Sequence, residues 1–178
     1  MNYQLYKETQ TEEIIHLFTQ TFTDSEGKEE GALIGKLTSD LLATTPKKDI
    51  YVFIAEENEQ IAGSILFTRL TFASDKTAFL MAPVAVSTHC QGNGIGQKLI
   101  RFGLDSMKQQ GVDLAFTYGD PNYYTKTGFE QITEKEFKAP MPLSLPHGWM
   151  AQSLTEEELE SISGESSCVQ AFDNPALW

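Results

Sequence analysis

The chain has 178 residues, a length that suits one domain with a sizeable core and makes two independent cores a stretch. Hydrophobic residues at 40% and charged residues at 21% fit a globular class and exclude wholesale disorder. A formal net charge of −12 repels phosphate backbones and argues against general nucleic-acid binding, while serving solubility and being able to attract a cationic partner. No apolar run reaches bilayer length, and the opening MNYQLYKETQ lacks the basic and apolar regions of a signal peptide. Cytoplasmic residence without a membrane partner is therefore the expectation. Cys90 and Cys168 form no disulfide framework, and the scattered His16, His89 and His147 have no metal-ligand spacing, so no metal is expected.

In chain order, NYQLYKE alternates polar and apolar residues and predicts a first strand. Thr11 reads as the N-cap of a helix over EEIIHLFTQTF, with Ile14, Leu17, Phe18 and Phe22 on one face. An acidic loop from Asp24 to Glu30 then leads to a second helical pattern, ALIGKLTSDLL. Leu33, Ile34, Leu37, Leu41 and Leu42 form its stripe, and Thr45-Pro46 ends it. Two β-rich runs flanking Glu57-Asn58-Glu59 predict a hairpin. TAFLMAPVAV reads as a central buried strand. Pro83 inside it cannot donate to a ladder, so a bulge is expected there.

CQGNGIG is a glycine-rich turn, and QKLIRFGLDSMKQQG is a helix with Ile95, Leu99 and Phe102 at i, i+4 and i+7 and Gly111 just past its end. DLAFTY is a strand, DPNYYTKTG a loop or short helix, and FEQIT extended again. KAPMPLSLPHG, with three prolines and a glycine, reads as a connecting loop. After it, Ser153-Leu-Thr-Glu-Glu-Glu resembles a helix start with acids in the first turn. Residues 1–178 are read as a single domain, with a core over 2–135 and a C-terminal extension over 138–178 that completes it. The element order is mixed α/β, and its strand–glycine turn–helix–strand unit must be parallel and right-handed.

That unit carries the chemistry. Gly92, Gly94 and Gly96 let backbone N–H groups converge on a point without Cβ obstruction. The following helix adds unsatisfied N–H donors and the positive end of its dipole, which together make a site for a phosphate or pyrophosphate. The dinucleotide pattern fails, because Gln97 stands where a third glycine is needed. The nucleotide-triphosphate pattern fails because Leu99 follows Lys98. A tight structural connection is the alternative on these grounds alone.

Gln91-Gly92-Asn93-Gly94-Ile95-Gly96 resembles the pyrophosphate-binding signature of the GNAT superfamily of N-acetyltransferases, [QR]-x-x-G-x-[GA], with PVAV resembling the strand before it. Gly119-Asp-Pro-Asn-Tyr-Tyr-Thr-Lys-Thr-Gly-Phe129 resembles the same family's Y-x-x-x-G-F ending. The two motifs stand at family spacing over about residues 2–135, and the tail resembles a bacterial subgroup with an extended C-terminal part. The resemblance implies an α/β (α+β) fold, with a mixed, mostly antiparallel central sheet splayed between its fourth and fifth strands and flanked by helices. It implies acetyl-CoA as co-substrate. The pantetheine arm would pair with the backbone of Val84, Ala85 and Val86, and Gln91, Gly92, Asn93, Gly94, Ile95, Gly96 and Gln97 would hold the pyrophosphate.

The family's proton donor to the leaving thiolate corresponds to Tyr124, with Tyr123 as its rival; a phenol keeps its proton at neutral pH. The general base stays open among Glu56, Glu57, Asp120, His89 and ordered water. Nothing pairs Cys90 with a base, which argues against a cysteine nucleophile and for direct transfer. The expected function is transfer of the acetyl group to a primary amine of a small molecule or protein. The alternatives are a non-catalytic acetyl-CoA-binding module and a transferase of a larger acyl group. Trp149, Phe172 and Trp178 must be buried, either on this chain or on a partner, and the family's habits leave a homodimer open.

Overall fold

The computed structural model describes residues 1–178. Its sheet has the strand order β1-β2-β3-β4-β5-β7-β6, with β8 paired to β3. The strands are β1 Asn2–Leu5, β2 Ile50–Glu57, β3 Gln60–Phe72, β4 Ala78–Val86, β5 Leu114–Tyr118, β6 Glu130–Gln131, β7 Trp149–Ser153 and β8 Ser166–Ser167. The β4–β5 pair is parallel, and the pairs β1–β2, β3–β8, β5–β7 and β6–β7 are antiparallel. This is the mixed, mostly antiparallel α/β architecture expected of the sequence. The chain falls into two compact units, Met1–Leu66 with Pro83–Gly103 and Phe67–Ala82 with Leu104–Trp178.

In the first unit, β1 pairs with β2 from Asn2↔Glu56 to Leu5↔Phe53. The β2–β3 hairpin turns on Asn58 and Glu59, whose φ values of 53° and 62° give the left-handed pair that suits strand twist. Two helices, α1 (Thr11–Glu26) and α2 (Lys28–Thr44), bury Ile14, Leu17 and Phe18 and Ile34, Leu37 and Leu41 respectively.

Two expectations fail here. Thr11 is the first residue of α1 and not its cap: a 3-10 turn over Glu8–Gln10 runs into the helix, and the Thr11 hydroxyl donates to Glu8 O at 2.8 Å. Nor do residues 24–30 form a loop. Gly27, at φ 100°, turns the chain in one residue, so helix occupies both sides of it. That short turn brings the helices close. A Cβ on Gly31 or Gly35 would overlap the hydroxyl of Thr23 or Thr19 on α1, which explains two glycines inside a helix they otherwise weaken. The expected stop at Thr45-Pro46 is where α2 ends.

In the second unit, β4 pairs with β5 over Ala78↔Leu114, Phe79↔Ala115 and Leu80↔Phe116. The helix α3 (Ile95–Gln109) begins in the first unit and ends in the second. Gly111, at φ 83°, closes it: its N–H donates to Lys108 O and that of Val112 to Met107 O, the paired bonds of a Schellman ending. β7 lies between β5 and β6, pairing Trp149↔Tyr118 and Ala151↔Glu130.

The helix expected to start at Ser153 is absent. Trp149, Met150 and Ala151 are fully buried strand residues. The Ser153 and Thr155 hydroxyls accept from the N–H groups of Thr155 and Glu157, so they serve a turn, with no apolar stripe behind them to bury a helix. The large apolar residues of the tail pack on this chain. Phe116, Phe137, Trp149, Phe172 and Trp178 form an aromatic cluster, and both indoles donate to backbone, Trp149 to Phe137 O at 2.8 Å and Trp178 to Phe172 O at 2.9 Å.

Candidate active site

The strand β4 changes character along its length. Residues 78–81 are all buried, whereas from Ala82 onward buried and half-buried residues alternate, with Ala85 buried and Val84 and Val86 half-buried. The ladder to β5 ends at Leu80, three residues before Pro83, so no bond in that ladder is asked of the missing proline N–H.

The second half of β4 is held within the first unit. Gly63 on β3 admits it, since a Cβ there would stand 3.1 Å from Ala85 O and 3.4 Å from Leu99 Cδ2. Ser87 N–H donates to Ala62 O at 2.8 Å. A 3-10 turn over Thr88–Cys90 follows, and Gln91 Nε2 reaches back to donate to Val86 O at 2.9 Å.

Gly92 and Gly94 then adopt φ values of 80° and 73°, and a Cβ on either would meet only open space. Asn93 Nδ2 donates to Cys90 O at 3.2 Å and braces the turn between them. The first helical bond of α3 runs from Lys98 N–H to Gly94 O at 3.1 Å. The N–H groups of Gly94, Ile95, Gly96 and Gln97 are therefore left ahead of the ladder, at the positive end of a 15-residue helix. Gln91 to Gly94 are exposed, and Ile95 and Gly96 are buried. An exposed turn with left-handed glycines and free donors suits an anionic ligand such as a pyrophosphate. The residues expected to bind cofactor, Val84 to Val86 and Gln91 to Gln97, thus lie along one continuous stretch of this unit.

Tyr124 belongs to the second unit. It ends the short helix α4 (Pro121–Tyr124), which Asp120 caps by accepting from Asn122 N–H at 2.9 Å. Gly128, at φ 96°, closes the turn before Phe129. The half-buried Tyr124 ring is boxed in. A Cβ on Gly119 would come within 2.7 Å of its Cε2, and Phe129 and Tyr123 meet it edge-on with centroids at 6.1 and 5.1 Å. Burial first, then the neighbouring Tyr123 and Asp120, pushes the Tyr124 phenol well above its ordinary range. Burial raises Tyr123 as well.

The candidate bases are already engaged. Glu56 accepts from Gln10 Nε2 at 2.9 Å and from Gln4 Nε2 at 3.4 Å, Glu57 faces the N-terminal ammonium at 3.6 Å, and Asp120 is spent as a cap. His89 is exposed near Asp24. The Thr88 hydroxyl, then the Gln20 amide and His89, hold the Asp24 carboxyl below its ordinary range.

One polar residue escaped the sequence reading. Thr117, 1% exposed on β5, donates its hydroxyl to Met81 O at 2.9 Å. In the run LAFTY a threonine reads only as a strand former, and nothing in its spacing marks it. No group of three or more His, Cys, Asp or Glu side chains is arranged to hold a metal ion, and no helix is long and apolar enough to cross a membrane.

Comparison with known proteins agrees with this geometry. The family model described as an acetyltransferase (GNAT) domain matches residues 2–132. The uncharacterized N-acetyltransferase YjhQ of Escherichia coli is 33% identical over 147 residues, covering 79% of this chain and 81% of that protein. Among solved structures, the GNAT family N-acetyltransferase YhbS of Escherichia coli in complex with CoA superposes with a TM-score of 0.78 at 22% identity, over 97% of this chain and 92% of that one. A GNAT family acetyltransferase from Brucella melitensis in complex with acetyl-CoA gives 0.72 at 23% identity, over 97% of each chain. With a glycine turn opening α3, a β4 that leaves β5 after Leu80, and a family match spanning most of its length, the chain belongs to the GNAT acetyltransferase family.

Proposed function

We propose that this protein transfers the acetyl group of acetyl-CoA directly to a primary amine. The observation that carries the proposal is the exposed glycine turn at the N-terminus of α3, with Gly92 and Gly94 in left-handed backbone and open space where side chains would stand. It suits the pyrophosphate of CoA, and relatives of this fold are named as complexes with CoA and acetyl-CoA. The backbone of Val84, Ala85 and Val86, past the end of the β5 ladder, is suited to pair with the pantetheine amides as an added strand would. A backbone N–H there would stabilise the oxyanion of the tetrahedral intermediate.

In the reaction the neutral amine nitrogen attacks the thioester carbonyl, the nitrogen of the tetrahedral intermediate gives up a proton to water, the C–S bond breaks, and the electron pair leaves on sulfur. Tyr124 gives its proton to the departing thiolate and is reprotonated from solvent. Its raised affinity for that proton keeps the donor form intact at neutral pH; transfer to a thiolate with a conjugate-acid pKa of about 8.5, if it resembles cysteine, is uphill and is completed as solvent reprotonates the phenolate. The ammonium acceptor, with a pKa of about 10.4, must lose a proton before attack. Ordered water is the base we favour, since Glu56, Glu57 and Asp120 are occupied by other partners. Residues 138–178 complete the same functional domain in this reading, because the β7 they contribute is flanked by β5 and β6.

Calorimetric titration with acetyl-CoA, with ADP and NAD as controls, tests the cofactor assignment. Selective micromolar binding of acetyl-CoA is expected. Folded protein that ignores acetyl-CoA would sink the proposal and leave the glycine turn a structural connection.

A further inference from the structure

The last turn of α1 is charged against its own dipole. The carbonyl end of a helix favours cations, yet Asp24 and Glu26 stand there with no basic residue in that turn. Asp24 is also an anion set against the approach to the proposed anion site, since its partner Thr88 opens the 3-10 turn that runs into Gln91. Both placements are unfavourable, and core packing does not demand them, because Asp24 is exposed.

Its hydrogen bonds show what the carboxylate does there. Gln20 Nε2, one turn earlier, donates to Asp24 Oδ1 at 2.7 Å, and Thr88 Oγ1 donates to Asp24 Oδ2 at 2.7 Å. Gln20 holds one oxygen and leaves the other facing Thr88. The end of α1 is itself held by α2: Gly31 makes room for the Thr23 hydroxyl, which a Cβ there would overlap. Beside Thr88, Ser87 N–H is bonded to Ala62 O on β3. The Asp24–Thr88 bond thus joins a fixed helix end to the chain just before Gly92 and Gly94. Those two residues have left-handed backbone and no side chain of their own to steer the turn, so its bearing depends on what holds the chain on either side.

We propose that Asp24 is a positioning residue for the cofactor: through Thr88 it holds the chain entering the glycine turn, so that the N–H groups ahead of α3 meet the pyrophosphate already aimed. The inference rests on the reading of that turn as the pyrophosphate site. It adds a residue from another helix, outside the motif, that presents the turn. Such preorganisation is read as affinity, because a ligand that must first order the turn binds less tightly.

Charge alone predicts the opposite sign. Asp24→Ala relieves the helix end and removes a negative charge near an anionic ligand, which would tighten binding by less than about twofold after screening. Loss of the tie would loosen it.

The test is calorimetric titration with acetyl-CoA, beside thermal unfolding. It compares the full-length wild type, Asp24→Ala, Thr88→Val, Thr88→Ser and the Asp24→Ala/Thr88→Val double variant. Asp24→Ala and Thr88→Val are each expected to weaken acetyl-CoA binding roughly threefold to tenfold, the modest effect of an exposed bond to a charged group. Unfolding temperatures should stay within a few degrees of wild type. Thr88→Ser, which keeps the hydroxyl, should bind as the wild type does, and the double variant should be no weaker than either single one.

An Asp24→Ala variant that binds as tightly as wild type, or more tightly, would overturn the inference. So would losses that multiply in the double variant, a Thr88→Ser as weak as Thr88→Val, or weakened binding that appears only with a collapse in unfolding temperature. A folded wild type that ignores acetyl-CoA would instead remove the underlying reading of the glycine turn.

Discussion

The two halves of β4 perform different work with similar residues. Ala78 to Met81 are buried, and three of them pair with β5; Ala82 to Val86 alternate between buried and half-buried, beyond any β5 partner. Both halves are apolar, so composition does not distinguish them. What differs is where the neighbouring backbone stops. The first half is paired on its β5 side, and the second half has no β5 partner, which leaves that side open to the proposed ligand. A strand can therefore carry a binding edge without any distinctive side chain, provided its neighbour departs at the right residue.

Breaking the catalytic side of that contrast should have the largest effect. Tyr124→Phe removes the proposed proton donor and keeps the ring, and turnover is expected to fall by roughly two to four orders of magnitude with acetyl-CoA affinity intact. Steady-state kinetics beside calorimetry would show both. The pH profile sharpens the point. Burial raises the Tyr124 phenol above its ordinary pKa, so the donor form persists through pH 10, and no alkaline loss of kcat from this group is expected below that. A tyrosine-dependent limb near pH 9 would contradict the assignment.

Leu80→Ala strikes the structural half. Leu80 is 1% exposed, and the truncation should cost about 2–5 kcal/mol in denaturant unfolding, while the variant, kept folded, still binds acetyl-CoA. Gly35→Ala is a control remote in sequence from β4. Its Cβ would press on Thr19, so stability should fall by about 1–3 kcal/mol with affinity unchanged. Gly94→Ala has the smallest expected effect on the fold. Open space surrounds the site, but the left-handed backbone penalises any Cβ by about 1–2 kcal/mol, and acetyl-CoA binding should weaken roughly tenfold. Undiminished affinity would move the pyrophosphate site elsewhere.

Much of this was legible in the residues. The strand, glycine turn and helix around 78–110, the hairpin at Asn58-Glu59 and the stop at Gly111 are signalled by residue types that have few other uses. Elements whose form depends on distant partners were not legible. WMAQS carries no alternation because Trp149, Met150 and Ala151 are all buried, so its strand character comes from β5 and β6 on either side. Gly27 hid among acids that suggested a loop, although one left-handed residue was enough to pass from α1 to α2. Tyr124 was readable through its spacing from Gly128-Phe129. The Thr117 bond to Met81 O was not, because it forms at the end of a ladder that no local pattern reports.

Hydrogen–deuterium exchange with and without saturating acetyl-CoA tests the division of β4 most directly. The account predicts new protection at residues 84–86 and 92–97, with exchange at 78–80 unchanged because those residues are already held by β5. Protection that leaves 92–97 untouched, or that rises equally along the whole of β4, would contradict it.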